Sequence, residues 1–179
     1  ALASTAGSRW LRWPAMALVD LFRAIPPLVL LIFVYAGLPF AGLRLSPFAA
    51  VAIAFLLNNS AYYGEVFRAG LISVGKGQWE AARSTGLTQR RTLIHVILPQ
   101  AIRRVIPPLA GQFITLVKDS SILSLISIQE LTFLATETAV STTRIFEVWI
   151  TVAGLYFCLC YSLSLAFKRL EERAAVART

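Results

Sequence analysis

Residues 79–99 read WEAARSTGLTQRRTLIHVILP, a polar stretch inside an otherwise apolar chain, and their reading decides the fold. Arg83, Arg90 and Arg91, with Lys76 just ahead, place the stretch in water between two membrane-length segments, as an intracellular loop with structure of its own. Residues 79–85 are good helix formers. Gly86 is the expected helix end, because glycine takes the left-handed position past a last turn without a Cβ clash. Glu80 is expected in the first turn, where a carboxylate suits the helix dipole and can meet a partner's arginine. Ala81 and Ala82 leave a slim surface that a groove can admit. A solvated loop with an ordinary cap would look alike over so few residues, so the wider spacing has to decide.

Outward from that stretch, 57% of the 179 residues are hydrophobic and only 15% are charged, which points to an all-α membrane helix bundle, not a soluble domain. The net charge of +8 would suit nucleic acid, but a nucleic-acid face needs a basic stripe on a soluble fold. Here the basic residues flank apolar runs, so no nucleic-acid partner is expected. Cys158 and Cys160 share one apolar segment and point in different directions on a helix, so they cannot pair. His95 has no Cys or second His nearby. No metal site and no Ser-His-Asp arrangement is found, which argues against a membrane-embedded enzyme.

The chain is read as one domain, 1–179, with four membrane spans near 15–40, 46–66, 109–128 and 145–167 and a cytoplasmic loop over 67–108. The mixed arginines and tryptophans of 9–13, RWLRW, mark a membrane–water interface. Residues 28–40 fall short of the ~20 needed to cross a bilayer. The first span must therefore include part of 15–25, where Asp20 and Arg23 can pair, and bend at Pro26-Pro27; Gly37-Leu38-Pro39 ends it. The second span carries Ala50, Ala54, Ala61 and Gly64 at helical spacing, which lets another helix approach closely. Pro107-Pro108 is expected to start the third span, 129–144 to be a polar loop, and the charged tail after Phe167 to begin as helix. With the central loop inside, Arg44 and Arg144 are the only basic residues left in outside loops, and the C-terminus is cytoplasmic.

The submotif Glu80-Ala81-Ala82, three residues, Gly86, nine residues, Val96, then Leu98-Pro99 resembles the EAA loop of the permease subunits of ABC importers. Val96 stands where that motif usually has isoleucine. The likeness extends over nearly the whole chain. Residues 61–82 (AYYGEVFRAGLISVGKGQWEAA), 97–126 (ILPQAIRRVIPPLAGQFITLVKDSSILSLI), Glu130-Leu131 and the region Arg144 to Glu147 look like the polar amino acid, histidine/glutamine-type permease family. The resemblance implies a type I ABC importer permease bundle in a bacterial plasma membrane, surrounded by lipid. It also implies two ABC ATPase subunits that hold the ATP and Mg, a second permease, identical or different, and an external substrate-binding protein. Glu80, Ala81, Ala82, Gly86, Leu98 and Pro99 would then form the coupling element docked on an ATPase, and no cofactor belongs to this chain. Permeases of this family typically carry one more membrane helix, so most of a first helix is expected to precede Ala1. The chain departs from the family's F-R-G-T-P at Ala24 and Ile25 and adds Pro27, so no substrate role is carried to that segment.

Gly70 to Lys76 matches most of a P-loop, but Gly77 follows where a Ser or Thr should hold Mg, and no buried strand precedes it. Nucleotide binding by this chain is therefore rejected. Polar side chains within spans are costly and face a cavity or a partner helix. Asn58, Asn59, Tyr62, Lys118, Asp119, Ser120 and Ser121 are accordingly the candidates for a substrate pathway, with polar bridging between helices as the competing role. Glu65 and Arg68 are expected to pair structurally. Other solutes, such as an opine or an osmolyte, fit the same residues, and a channel or scaffold without an ATPase is the remaining class.

Overall fold

The computed structural model describes residues 9–176, and every element in that range is helical. The reading of the opening residues as the tail of something longer lies outside the described part. Helix α1 (Arg9–Ala24) and helix α2 (Pro27–Ile32) meet at the Pro26-Pro27 break, and the arms Arg12–Ala24 and Pro27–Ala41 are bent by 97°. The second arm does not stop at Gly37. It continues as a π-turn (Phe33–Gly37) and a 3₁₀ turn (Leu38–Ala41), closed by Gly42 at φ 83°. Helix α3 (Pro47–Ser73) follows, started by Pro47 in the first turn and by Ser46, whose hydroxyl accepts from the Ala49 amide at 3.2 Å.

The segment 67–108 is largely helix, not loop. Helix α3 runs on to Ser73, and the short helices α4 (Lys76–Ser84) and α5 (Gln89–Thr92) follow. A second π-turn (Leu93–Ile97) then leads into α6 (Leu98–Asp119). Pro107 and Pro108 do not start a span; they lie inside α6. Each proline withdraws the amide that would serve the carbonyl four residues back. Those carbonyls belong to Arg103 and Arg104, both exposed residues. Helix α6 passes through a 3₁₀ stretch (Ser120–Ile126) to α7 (Leu131–Thr142) and then α8 (Ile145–Val176).

The expected polar loop over 129–144 is thus mostly α7. Glu130 caps it, its carboxylate accepting from the Thr132 and Phe133 amides at 2.8 and 2.7 Å. Hydroxyls that suggested a loop are returned to the helix itself: Thr136 donates to the Thr132 carbonyl at 2.9 Å and Thr138 to Leu134 at 2.7 Å.

Two helical stretches, Gln89–Ile126 and Ile145–Glu172, are long and apolar enough to cross a membrane, and a third joins them if the bent α1–α2 pair is one span. Helix α3, the expected cleanest span, is long enough at 27 residues, about 40 Å. Asn58, Asn59, Ser60, Tyr62 and Tyr63 make its second half too polar to meet the same criterion. The main core joins Leu30 and Leu31 of α2 and Val34 of the π-turn to Ala50 and Ala54 of α3 and to Ile126. Ala61 is buried as the small-residue pattern predicts, but a Cβ on Gly64 would meet nothing within 4 Å. The close approach falls at Gly70 instead, where a Cβ would lie 2.1 Å from Val105 Cγ2 of α6.

Candidate functional site

Helix α4 ends as the glycine at 86 predicts. Gly86 has φ 82°, its amide donates to the Arg83 carbonyl at 2.9 Å, and the Leu87 amide reaches back to Ala82 at 3.2 Å. That pair of bonds is a Schellman closure, which satisfies carbonyls the helix leaves open. The start differs from expectation. The helix begins at Lys76, so Glu80 sits past the first turn, without the full help of the helix dipole. Glu80 and Ala81 are exposed, while Ala82 is 7% exposed and faces the chain's own interior, so it offers no surface to a groove. Trp79 packs with Leu71, Leu93 and Val96 around the buried Val74, Ile97 and Ala101. Gln100 Nε2 donates to Gln78 Oε1 at 3.1 Å, and Arg104 donates to the Ser73 carbonyl. Helix α4 is therefore gripped from behind by the ends of α3 and α6. Leu98 and Pro99 are partly exposed beside it, at the start of α6. The P-loop-like run Gly70–Lys76 is the end of α3 and the turn into α4, with no phosphate cradle.

The pathway candidates divide. Asn58 is 2% exposed, and its Nδ2 donates to the carbonyls of Phe22 at 3.0 Å and Ile25 at 3.3 Å. The Tyr62 hydroxyl donates to the Arg23 carbonyl at 3.4 Å. Asn59 Nδ2 donates to Phe55 O at 3.0 Å, and its Oδ1 accepts from Gln112 Nε2 of α6 at 3.3 Å. These three side chains bridge helices. With Gly70 against Val105, the Asn59–Gln112 bond makes α3 and α6 antiparallel. Lys118, Asp119, Ser120 and Ser121 then lie about two turns beyond Gln112, apart from the asparagines. Ser120 donates to the Val117 carbonyl at 2.7 Å; among the described residues the side chains of Lys118 and Asp119 make no hydrogen bond.

Glu65 and Arg68 do pair, with Arg68 Nε 2.7 Å from Glu65 Oε2 and a second bond alongside. Asp20 and Arg23 do not: Arg23 turns its guanidinium over the Tyr62 ring, 5.4 Å from the centroid. Sequence reasoning missed Gln112, whose amide in an apolar helix was the available signal, and the Glu130–Tyr156 contact at 3.2 Å. Between α7 and α8 lies an open groove of about 370 Å³ lined by Leu134, Thr138, Arg144, Glu147 and Thr151 among others. Among the described residues no group of His, Cys, Asp and Glu is placed to hold a metal ion.

The family described as "Binding-protein-dependent transport system inner membrane component" matches residues 1–176. A probable glutamine ABC transporter permease, GlnM of Bacillus subtilis, is 46% identical over 91% of this chain and 76% of its own length. The L-cystine transport system permease TcyB of the same organism is 42% identical, covering 97% of this chain and 74% of its own. The glutamine transport system permease GlnP of Escherichia coli is 36% identical over 90% and 75% respectively. Among solved structures, an amino acid ABC transporter with histidines superposes with a TM-score of 0.90 at 35% identity, covering 96% of this chain and 80% of that one. The inward-facing MetNI methionine ABC transporter shares the fold, with a TM-score of 0.76 at 22% identity.

Proposed function

This chain belongs to the family of inner-membrane components of binding-protein-dependent transport systems, and from that premise we propose that it carries polar amino acids inward. It is a transport permease, not itself a catalyst. The substrate class is supported by the glutamine, cystine and histidine systems named for its relatives. In this reading the loop around α4 and the C-terminus face the cytoplasm. The chain crosses the membrane four times, α3 included, and pairs with a second permease over two ATPase subunits that bind ATP and Mg. An external binding protein delivers the amino acid. ATP binding closes the ATPase pair, moves the docked α4 helices and rocks the spans from inward-open to outward-open; hydrolysis resets them.

The observation that carries this reading is the two-sidedness of α4. Glu80 and Ala81 are bare, while Ala82 is buried and Trp79 packs, half-buried, against the core made by the ends of α3 and α6. A force applied to the bare side therefore reaches both long helices without slack. The test is uptake of labelled glutamine, cystine and histidine into liposomes holding the chain with its ATPase subunits and binding protein. Glu80→Lys should abolish uptake while ATP hydrolysis and membrane insertion persist. Undiminished uptake by that variant would overturn the coupling role.

A further inference from the structure

Pro26 and Pro27 each lack the amide that a continuing helix would aim four residues back, so the carbonyls of Phe22 and Arg23 lose their natural donors. A carbonyl left without a donor in a membrane-embedded bundle is expensive. Those same two carbonyls are the ones served from α3, Phe22 by Asn58 and Arg23 by Tyr62. Asn58 adds the carbonyl of Ile25, at the apex of the bend.

Building on the transport reading above, we propose that Asn58 and Tyr62 are positioning residues for transport: they supply the donors that Pro26 and Pro27 delete, lock the α1–α2 corner onto α3, and make the corner and the α4 coupling helix opposite ends of one moving body. Both arms of the corner are held by the same helix. The α1 arm meets the polar stripe Asn58, Tyr62, Glu65 and Arg68, which follows one face of α3 at spacings of four, three and three residues. Arg23 lies over the Tyr62 ring. The α2 arm is fixed by Leu30, Leu31 and Val34 against Ala50 and Ala54. At its other end α3 carries Leu71 and Val74 into the core that grips α4. A displacement of α4 is therefore delivered, along one rod, to a corner that cannot lag behind.

The experiment uses the full chain with its ATPase subunits in liposomes, with Cys158 and Cys160 replaced by serine. Spin labels go on Trp13→Cys and Phe40→Cys, both exposed and one on each arm. Asn58→Leu should broaden the label–label distance distribution and lower amino acid moved per ATP hydrolysed by about tenfold or more, since the carbonyls of Phe22 and Ile25 both lose their donor. Tyr62→Phe, which keeps the ring beneath Arg23 and deletes one long bond, should shift both readings the same way by about twofold, and it is read if the Leu variant fails to assemble. Asn59→Leu removes a bridge to α6 and should leave the label distances unchanged. An unaltered distribution in Asn58→Leu and Tyr62→Phe, or an equal disturbance in Asn59→Leu, overturns the proposal. Wild-type uptake in the same liposomes tests the transport reading separately, since the label distances report on the corner whether or not amino acid moves.

Discussion

A single methyl group at Gly70 tests the contact on which the transmission of force depends. A Cβ there would stand 2.1 Å from Val105 Cγ2 and 3.3 Å from the Ala101 carbonyl oxygen. Carbon atoms settle about 3.5–4.0 Å apart, so Gly70→Ala forces α3 and α6 to separate by about 1.5 Å or drives Val105 out of its rotamer. Val105 is 2% exposed, and its branched side chain is stiff at χ1. Overpacking of this kind costs about 1–3 kcal/mol. For a chain of this size that lowers the unfolding midpoint by about 2–4 °C for each kcal/mol. Gly64→Ala, on the same helix, is the control: a Cβ there meets nothing within 4 Å. It should leave stability unchanged or raise it by up to about 1 kcal/mol through helix propensity alone. Val105→Ala removes the offending methyl, so Gly70→Ala should be less damaging in that background, with a coupling of about 1 kcal/mol or more. The assay is thermal unfolding in mild detergent, followed by tryptophan fluorescence for the wild type and the four variants. Equal midpoints for Gly70→Ala and Gly64→Ala would refute the claimed helix contact.

Gly86→Ala meets no neighbour within 4 Å, so its entire cost is the left-handed backbone at φ 82°, about 1 kcal/mol. Faster amide exchange at 84–87 reads this directly, and Gly86→Asn should recover part of the loss. Glu130→Ala strips the cap from α7 and frees the Thr132 and Phe133 amides, at a cost of about 1 kcal/mol; exchange at 131–134 should quicken, and the bond from Tyr156 of α8 is lost with it. Pro99→Ala restores an amide next to the second π-turn, so infrared or exchange signatures of 93–99 should move toward ordinary α-helix, with uptake falling because Ile97 is rotated from the core it shares with Val74.

The helix proposed for coupling was legible because its punctuation is local. A glycine at the required spacing and a run of helix formers each act within one turn, and the structure shows both at 76–87. What escaped was set by partners far along the chain. Polarity alone suggested a loop for 129–144, yet α7 forms because its threonines bond to their own helix and Glu130 closes its first turn. Ala82 looked like surface for a partner until Trp79, three residues earlier on the same face of the helix, packed inward and carried Ala82 with it. Asn58 and Tyr62 looked like a substrate lining because spans rarely hold amides and hydroxyls. Their orientation depends on two prolines more than thirty residues upstream, which no local pattern connects to them.

The prolines themselves are used in distinct ways. At Pro26-Pro27 two consecutive amides are missing and the chain turns through 97° with donors borrowed from α3, whereas α6 runs on through Pro107-Pro108, where the carbonyls left without donors belong to exposed residues. At Leu38-Pro39 and Leu98-Pro99 only one is missing, and the chain widens by a single residue instead. The Leu38 amide bonds to Phe33 and the Leu98 amide to Leu93, five residues back in both cases. A π-turn of that kind enlarges the ring just before the proline, so its ring clears the preceding carbonyl and the axis continues. The second of these turns lies inside the core that grips α4, where Ile97 is fully buried. In the proposed coupling role Leu98-Pro99 would act mechanically: the proline sets the wide turn, and the wide turn places Ile97 in one core with Val74, joining α6 to the end of α3 behind the helix that carries Glu80.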